Sequence, residues 1–460
     1  MVLYAPRLFI SAYINEIFIK SVDKTAQKKY YFYVMNNTIY ESCLISLKEE
    51  LLPAMGCTEP IAVAYAAALA RKTLGELPES IVVSVSGNIL KNVKGVVVPG
   101  TGGLKGVISA AAAGIVAGQA DKVLEVISSV TPSDLPKIND YIKTAEFAVK
   151  QSQSCCIFDI SVTVKSGEHS ALVRIAGHHT NVVHIQHDGN DLVKQEIAEE
   201  QTAPSGADRS LLTVENIIEF AECVKLSDVR EMIERQINYN TAIAKEGLKN
   251  DYGARVGKLL LKYFGDSVYN RARAMAAAGS DARMNGCSLP VVIVSGSGNQ
   301  GMTASLPVIV FAEHLGASHE QLLRALVVSD LVTIHLKTGI GRLSSYCGAV
   351  SAGCGAGAGV CYLFGGRLSE ISATIENALA IDSGLFCDGA KASCAAKIAS
   401  AVGSGLLAME MSRNDSSFLH GDGIIGDCVE NTIDNIGEIA RNGMRLTDQE
   451  IIRLMIKSCK

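Results

Sequence analysis

Long helical stretches separated by glycine-rich breaks are the feature that most constrains the fold of this chain. Gly accounts for 42 of the 460 residues, whereas aromatic residues make up only 5% and Trp is absent. Small side chains let backbones approach closely, so we expect tightly packed helices. The breaks are residues 295–301 (SGSGNQG), 351–359 (SAGCGAGAG) and 387–394 (CDGAKASC). Because binding and catalytic groups concentrate on loops held by a rigid scaffold, we expect the chemistry at these breaks.

The first part of the chain predicts a unit that mixes helices and strands. In GCTEP (56–60), Gly56 and Pro60 end one helix and start another, which places Cys57 at a helix N-terminus. Residues 79–100 are rich in β-branched residues and glycines and predict strands and turns, and residues 104–117 predict a helix of small residues. Three further strands are predicted, at 155–167, 169–179 and 180–189.

The second part of the chain predicts mainly helices. A segment that mixes charge with Pro and Gly, residues 198–210, is the best linker candidate. After it, apolar residues recur at helical spacing, first at Val214, Ile217, Ile218 and Ala221 and again over 324–336 and 371–381. The predicted fold class is α+β. A smaller unit with a short mixed or antiparallel sheet covers residues 35–205, a mainly helical unit covers 206–460, and residues 1–34 form an extension outside the fold.

Composition restricts the class of partner. The net charge is −5 and Lys and Arg are evenly scattered, so no basic stripe for nucleic acid is expected. No run of about 18 apolar residues lacks Gly, Ser, Asn or a charge, so no membrane partner is expected. Thirteen cysteines without a secretion signal favour reduced thiols and a cytoplasmic location. A small-molecule partner is favoured, and the sequence is compatible with a homo-oligomer.

The glycine-rich segment 295–301 has the spacing of a dinucleotide-binding turn, with Gly296, Gly298 and Gly301 after an apolar run. The expected second strand ending in an acidic residue does not follow, so we do not predict a Rossmann fold. We expect instead that backbone N–H groups together with Ser295, Ser297 or Asn299 bind a substrate carboxylate. A rival interpretation is a pyridoxal phosphate site.

In that pyridoxal phosphate alternative, Lys337 or Lys391 would form the Schiff base, but the cysteines at the breaks would have no function. These break cysteines are Cys57, Cys287, Cys347, Cys354, Cys387 and Cys394. None of them has the CxxC spacing of a zinc ribbon or a ferredoxin cluster. A cluster held by three distant cysteines would leave one iron open as a Lewis acid, although spacing alone does not select the ligands.

Several motifs in order resemble the L-cysteine desulfidase family, also called UPF0597. They are GCTEP (56–60), VPGTGG (98–103), SGSGNQG (295–301), the stretch 335–359, FCDGAKASCAAK (386–397) and the stretch 421–437. The likeness runs from about Met35 to the C-terminus. The family is distantly similar to the iron–sulfur L-serine dehydratases. The resemblance implies β-elimination from L-cysteine to pyruvate, ammonia and sulfide on a [4Fe–4S] cluster.

Matching motif to motif, the resemblance implies that Cys57, Cys347 and Cys387 hold the cluster, with Cys354 and Cys394 behind them. A base within reach of the substrate Cα is also needed. The candidates near the cluster motifs are Glu59, His335, Lys337 and Lys391, and sequence does not choose among them. Asn88 and Asn299 are candidate substrate ligands. The alternatives that stay open are an L-serine dehydratase, a pyridoxal phosphate lyase, and a non-catalytic protein that senses iron or oxidants.

Overall fold

The computed structural model describes residues 35–154, 156–195, 206–341 and 343–457. The predicted extension (1–34) and most of the predicted linker lie outside these residues, so neither is tested. The helices of the first part are α1 (Asn37–Glu50), α2 (Thr58–Leu74), α3 (Gly87–Val93), α4 (Gly106–Ala117) and α5 (Leu135–Thr144). Those of the second part are α6 (Val214–Cys223), α7 (Leu226–Lys249), α8 (Val256–Phe264), α9 (Val268–Met284), α10 (Gly298–Leu315), α11 (His319–Ile340), α12 (Gly348–Leu363), α13 (Leu368–Asp382), α14 (Cys394–Arg413), α15 (Val429–Glu438) and α16 (Arg445–Lys457).

The strands form one mixed sheet and one small antiparallel sheet. They are β1 (Pro53–Met55), β2 (Ser80–Val85), β3 (Glu146–Gln151), β4 (Asp159–Ser166), β5 (His169–Ala176), β6 (Val182–His187), β7 (Asn190–Lys194) and β8 (Pro290–Val292). The six-stranded sheet has the order β3-β2-β4-β5-β6-β7. Strands β2 and β3 are parallel and the other pairs are antiparallel. Helix α2 packs on β4 and β5, which buries one face of the sheet. The α+β prediction is confirmed.

The segment 79–100 is only partly strand. Ser80–Val85 forms β2 with alternating burial, as predicted. The following residues turn into α3, because the Ser86 hydroxyl accepts a hydrogen bond from the Ile89 amide and caps a helix. The prediction of strands and turns is therefore wrong for Gly87–Val93, whereas residues 94–100 form turns with an isolated β-bridge at Val97.

The small sheet joins the two parts of the chain. Pro53 of β1 pairs with Val292 of β8, and Met55 pairs with Pro290. Helix α1 also packs against α6, α7 and α11, and a single hydrophobic cluster includes residues from both parts. The boundary near residue 205 stays a prediction. The pairing of β1 with β8 brings the GCTEP motif next to the loop that follows β8.

Helix α12 lies at the centre of the second part and packs against α10, α11, α13 and α14. The prediction of a break at 351–359 is wrong, because these residues lie inside α12. A Cβ on Gly357 would lie 2.5 Å from the Gly405 carbonyl oxygen of α14, and one on Gly359 would lie 2.8 Å from Val308 of α10. The glycines therefore permit close helix packing on several sides.

Helix α14 is long and apolar enough to cross a membrane by length and composition alone. Of its most apolar window, 56% is buried inside the protein. Because it packs against α9, α12 and α13, we assign it to the core of the fold.

Asp330 on α11 is fully buried, and its position gives a prediction about pH dependence. Its Oδ1 accepts a hydrogen bond from Gln236 at 2.9 Å, and Oδ2 has no partner among the described residues. Burial raises the pKa of Asp330 to about 7. The folded state therefore holds this proton more tightly than the unfolded state, and the resulting stability is lost as pH rises from about 4 to about 7.

Asp330→Asn should remove that loss, because the amide is neutral at every pH. Relative to wild type, the variant should gain about 2–4 kcal/mol in unfolding free energy across this pH range, measured by urea unfolding. Asp140→Asn is the matched control, since the Asp140 side chain on α5 is 73% exposed. Parallel pH profiles for wild type and Asp330→Asn would contradict the prediction.

Candidate functional site

Cys57 lies where the small sheet meets α2. Gly56 adopts a positive φ of 65°, and Cys57 is the N-cap residue of α2, as the sequence predicts. The Thr58 hydroxyl donates to the Gly296 carbonyl at 2.9 Å, which fixes the helix start against the loop after β8. Cys57 is only 2% exposed. The thiol is thereby held at the partly positive end of a helix.

Cys347 and Cys387 are joined through their backbones. The Cys347 amide donates to the Leu385 carbonyl at 3.1 Å, and the Cys387 amide donates to the Ser345 carbonyl at 2.6 Å. Cys347 is the N-cap residue of α12, and Cys394 is the first residue of α14. Three of the break cysteines thus lie at helix N-termini, where the helix dipole favours an anionic ligand such as a thiolate.

One cavity brings the predicted groups together. Its lining includes all three predicted cluster cysteines, Cys57, Cys347 and Cys387. Of the other predicted residues it includes Glu59, Lys337, Ser295, Ser297 and Asn299. Residues from GCTEP, from the loop after β8, from α11 and from the loop before α14 therefore meet at one place.

Three predicted residues do not line this cavity. His335 pairs with Glu430 at 2.7 Å. Lys337, two positions later on α11, lines the cavity, and residues two positions apart on a helix do not share a face. The Lys391 ammonium lies 2.5 Å from the Asp388 carboxylate and donates to the carbonyls of Asp388 and Gly389. Asn88 lies on α3 with its side-chain oxygen buried. Their positions give no support to direct roles in the chemistry.

Cys57 forms a buried pair with Glu59. The Cys57 thiol donates to the Glu59 carboxylate at 3.0 Å, and the Thr58 hydroxyl oxygen lies 3.1 Å from the same carboxylate oxygen. Burial raises the pKa of the Cys57 thiol well above its usual value, Glu59 raises it further, and the Arg283 guanidinium acts in the opposite direction. Cys57 is therefore a neutral thiol unless a cation displaces its proton.

The other three thiols influence one another. Burial raises the pKa of Cys347 to about 12, and the proximity of Cys387 and Cys394 adds to the effect. Burial also raises the pKa of Cys394, with a contribution from Cys387. Burial lowers the pKa of Lys397, but the Asp388 carboxylate and the Cys347 and Cys387 thiols together raise it above the usual value. A cation is thus held beside this group of thiols.

The cavity lining has the donor type of an iron–sulfur cluster, because cysteine thiolates are the ligands of such clusters. Within the described ranges, no three His, Cys, Asp or Glu side chains are grouped as they would be around one metal ion. Four thiols around one cavity, with cationic groups nearby, fit an anionic cluster.

Sequence reasoning missed several residues of this cavity. Arg283, Gln300, Tyr346 and Lys397 line it, and Cys394 was placed behind the ligands rather than in the lining. Gln300, Tyr346 and Lys397 lie inside the motifs 295–301, 335–359 and 386–397, so membership of those motifs was an available signal. Arg283 had no such signal, because its position at the end of α9 is set by tertiary packing.

The fold and cavity together define a helix-dominated α+β protein with a thiol-lined active-site candidate. The sequence model of the family described as serine dehydratase alpha chain matches residues 121–453. A UPF0597 protein of Desulfitobacterium hafniense is 54% identical, over 91% of this chain and 97% of the relative. UPF0597 proteins of Lachnoclostridium phytofermentans and Fusobacterium nucleatum are 50% and 43% identical, each over 91% of this chain and 100% of the relative.

This chain belongs to the serine dehydratase alpha-chain family, among the relatives called UPF0597 proteins. The resemblance seen in the sequence motifs is thereby confirmed at the level of the family. Family membership supports a lyase-type enzyme, and the serine dehydratase relationship is consistent with an iron–sulfur site.

Proposed function

We propose that this protein is an L-cysteine desulfidase of the cytoplasm that converts L-cysteine and water to pyruvate, ammonium and hydrogen sulfide. The observation that carries the proposal is the cavity in which Cys57, Cys347 and Cys387 meet buried Glu59 and Lys337. Soft thiolate ligands favour iron–sulfur clusters, and family membership supports elimination chemistry on a small amino acid. The physiological ligand is a small amino acid rather than a macromolecule, since these groups lie in a buried cavity.

The proposed cluster ligands are Cys57, Cys347 and Cys387, whose thiols lose their protons when iron binds. When bound, a [4Fe–4S] cluster with three protein ligands supplies one iron as a Lewis acid for the substrate. Lys397 lies beside Cys347 and Cys387 and offsets part of the negative charge of the thiolates. The N-termini of α2 and α12 favour the same charge.

A second ligand set replaces Cys57 with Cys394. The pKa of Cys394 responds to Cys387, and that of Cys347 responds to both Cys387 and Cys394. The pKa of the Cys57 thiol responds instead to Glu59 and Arg283. In this second arrangement, Cys57 would keep its hydrogen bond to Glu59 and would act in proton transfer rather than as a ligand.

We propose Glu59 as the base that removes the Cα proton. As that proton leaves, the electron pair of the Cα–H bond forms the Cα=Cβ bond, and the C–S bond breaks with its electrons going to sulfur. The departing sulfide takes up a proton. The resulting 2-aminoacrylate becomes an imine, which water hydrolyses to pyruvate and ammonium. Lys337 is 5% exposed and adds a cationic side chain to the same lining.

The pyridoxal phosphate alternative rests on Lys337 or Lys391. Lys337 lines the cavity, but so do four thiols that this cofactor does not use. Lys391 is paired with Asp388. Serine differs from cysteine only in its leaving group, so an L-serine dehydratase uses the same residues and is separated by assay alone.

Anaerobic purification should give a brown protein that releases sulfide and pyruvate from L-cysteine in equal amounts. Visible absorbance that bleaches with dithionite, together with iron and sulfide assays, reports the cluster. Activity with L-serine in excess of that with L-cysteine would shift the assignment to a dehydratase. A colourless anaerobic protein that takes up no iron, or a borohydride-trapped lysine adduct, would overturn the proposal.

Single replacements of the four cavity cysteines by Ser should separate the two ligand sets. Cys57→Ser, Cys347→Ser and Cys387→Ser should each weaken iron binding by at least roughly tenfold, measured as iron per chain after anaerobic gel filtration. Cys394→Ser should retain iron. Cys361→Ser is the matched control, because Cys361 is a buried cysteine of α12 outside the cavity lining. Iron loss in Cys394→Ser with retention in Cys57→Ser would establish the second set.

Glu59→Gln should lower kcat by roughly 10²–10⁴-fold with iron content unchanged, because the amide cannot accept the Cα proton. The comparison variant is His335→Gln, since His335 pairs with Glu430 and does not line the cavity. It should retain most of the activity. A Glu59→Gln protein with wild-type kcat, or a His335→Gln protein with the larger loss, would reject Glu59 as the base.

A further inference from the structure

The Arg283 guanidinium is buried in the candidate cavity, and two of its three nitrogens have no hydrogen-bond partner among the described residues. Arg283 lies near the end of α9, is 1% exposed and lines the cavity. Its Nη1 donates to the Asn299 side-chain oxygen at 3.1 Å. Its Nε and Nη2 have no hydrogen-bond partner among the residues that the structure describes. Among the described residues, no carboxylate forms an ion pair with Arg283 either.

A buried guanidinium with unpartnered N–H groups is stabilised by binding an anion. Arginine cannot lose its proton in a protein, and a charge removed from water without a partner is strongly destabilising. Nε and Nη2 lie on the same edge of the guanidinium, and that edge is the fork that binds both oxygens of a carboxylate. The unused donors are therefore the pair that a carboxylate ligand requires.

The surroundings fix this edge in place. A Cβ on Gly298, at the start of α10, would lie 2.6 Å from Arg283 Nε and 2.9 Å from its Cζ. Glycine at this position lets the helix backbone lie against the guanidinium. Asn299, the next residue of α10, accepts the hydrogen bond from Nη1. The guanidinium is thus oriented before any ligand arrives, which reduces the entropy lost on binding.

Further polar atoms that have no hydrogen-bond partner among the described residues line the same cavity. They are Ser295 Oγ, Gln300 Oε1 and the Tyr346 hydroxyl, and these three residues are 4%, 6% and 1% exposed. Gln300 Oε1 can only accept a hydrogen bond, so it suits an ammonium group. A carboxylate fork and an ammonium acceptor in one cavity match the two charged groups of an α-amino acid.

We infer that Arg283 binds the α-carboxylate of the substrate amino acid through Nε and Nη2. The identity of that amino acid rests on the proposed function, whereas carboxylate binding by Arg283 does not. Asn299, which the sequence suggested as a substrate ligand, then acts as a positioning residue for Arg283. Cysteine, serine and alanine share the group that Arg283 recognises, so selection among them depends on the rest of the cavity.

The test is calorimetric binding of L-alanine to the anaerobically purified protein. L-Alanine has no β leaving group, so it binds without elimination, and L-alaninamide provides the same ligand without the carboxylate charge. Wild type should bind L-alanine more tightly than L-alaninamide. Arg283→Met should bind L-alanine roughly 10–100-fold more weakly and should no longer distinguish the two ligands. Arg283→Lys should restore part of the preference.

Arg273→Met is the matched control, because Arg273 lies on the same helix and donates to the Ala399 carbonyl outside the cavity lining. It should bind L-alanine as wild type does. Wild-type affinity and preference in Arg283→Met would overturn the inference, as would the absence of saturable L-alanine binding by wild type. Loss of iron in Arg283→Met, with retention in Arg273→Met, would overturn it in favour of a role in holding the cluster.

The test of carboxylate binding by Arg283 can fail or succeed independently of the test of L-cysteine desulfidase activity. Arg283-dependent binding of L-alanine by a protein that releases no sulfide from L-cysteine would keep this inference and remove the proposed activity. Turnover of L-cysteine with an unchanged KM in Arg283→Met would remove this inference and keep the proposed activity.

Discussion

Two short backbone pairings hold the candidate site together. Strand β1 pairs with β8 and brings Cys57 to the loop that contains Ser295. The bridge between Tyr346 and Phe386 brings Cys347 next to Cys387. Each pairing is only a few residues long. Strands β1 and β8 are mostly buried, so their hydrogen bonds are shielded from water. In the second pairing Tyr346 is buried, whereas Phe386 is 53% exposed. Without them, groups hundreds of positions apart in the sequence would not face one cavity.

Helix α12 provides the rigid support on which these pairings depend. Its glycines let the backbones of α14 and α11 approach closely, and Cys347 lies at its N-terminus. Precise placement of the cavity side chains requires such packing. A side chain on a loose loop would lose conformational entropy each time a ligand binds, and that loss would weaken binding. The small-residue composition of the chain therefore bears directly on the geometry of the cavity.

Local patterns in the sequence were enough for part of this description. Gly56 and Pro60 predicted the helix start at Cys57, and alternating apolar residues predicted β4, β5 and β6. The glycines of 351–359 were misread as a break, because glycine permits both a turn and a close helix contact. Only the neighbouring helices decide between these two, and they come from distant sequence.

The site residues likewise divide into those that sequence motifs indicate and those that only the structure reveals. Motif resemblance brought forward Cys57, Cys347 and Cys387, and the structure places all three in one lining. Arg283 could not be found in this way, since its significance lies in burial and in the absence of a partner for Nε and Nη2 within the described residues. Neither property is visible in a sequence. His335, one of the candidate bases near the cluster motifs, pairs with Glu430 and does not line the cavity.

The most direct test of the account is anomalous X-ray scattering at the iron edge from crystals grown without oxygen. The account predicts a single compact iron peak inside the cavity, bounded by the Sγ atoms of Cys57, Cys347 and Cys387. Iron bound elsewhere, or a cavity with intact thiols and no iron in crystals of active protein, would contradict it.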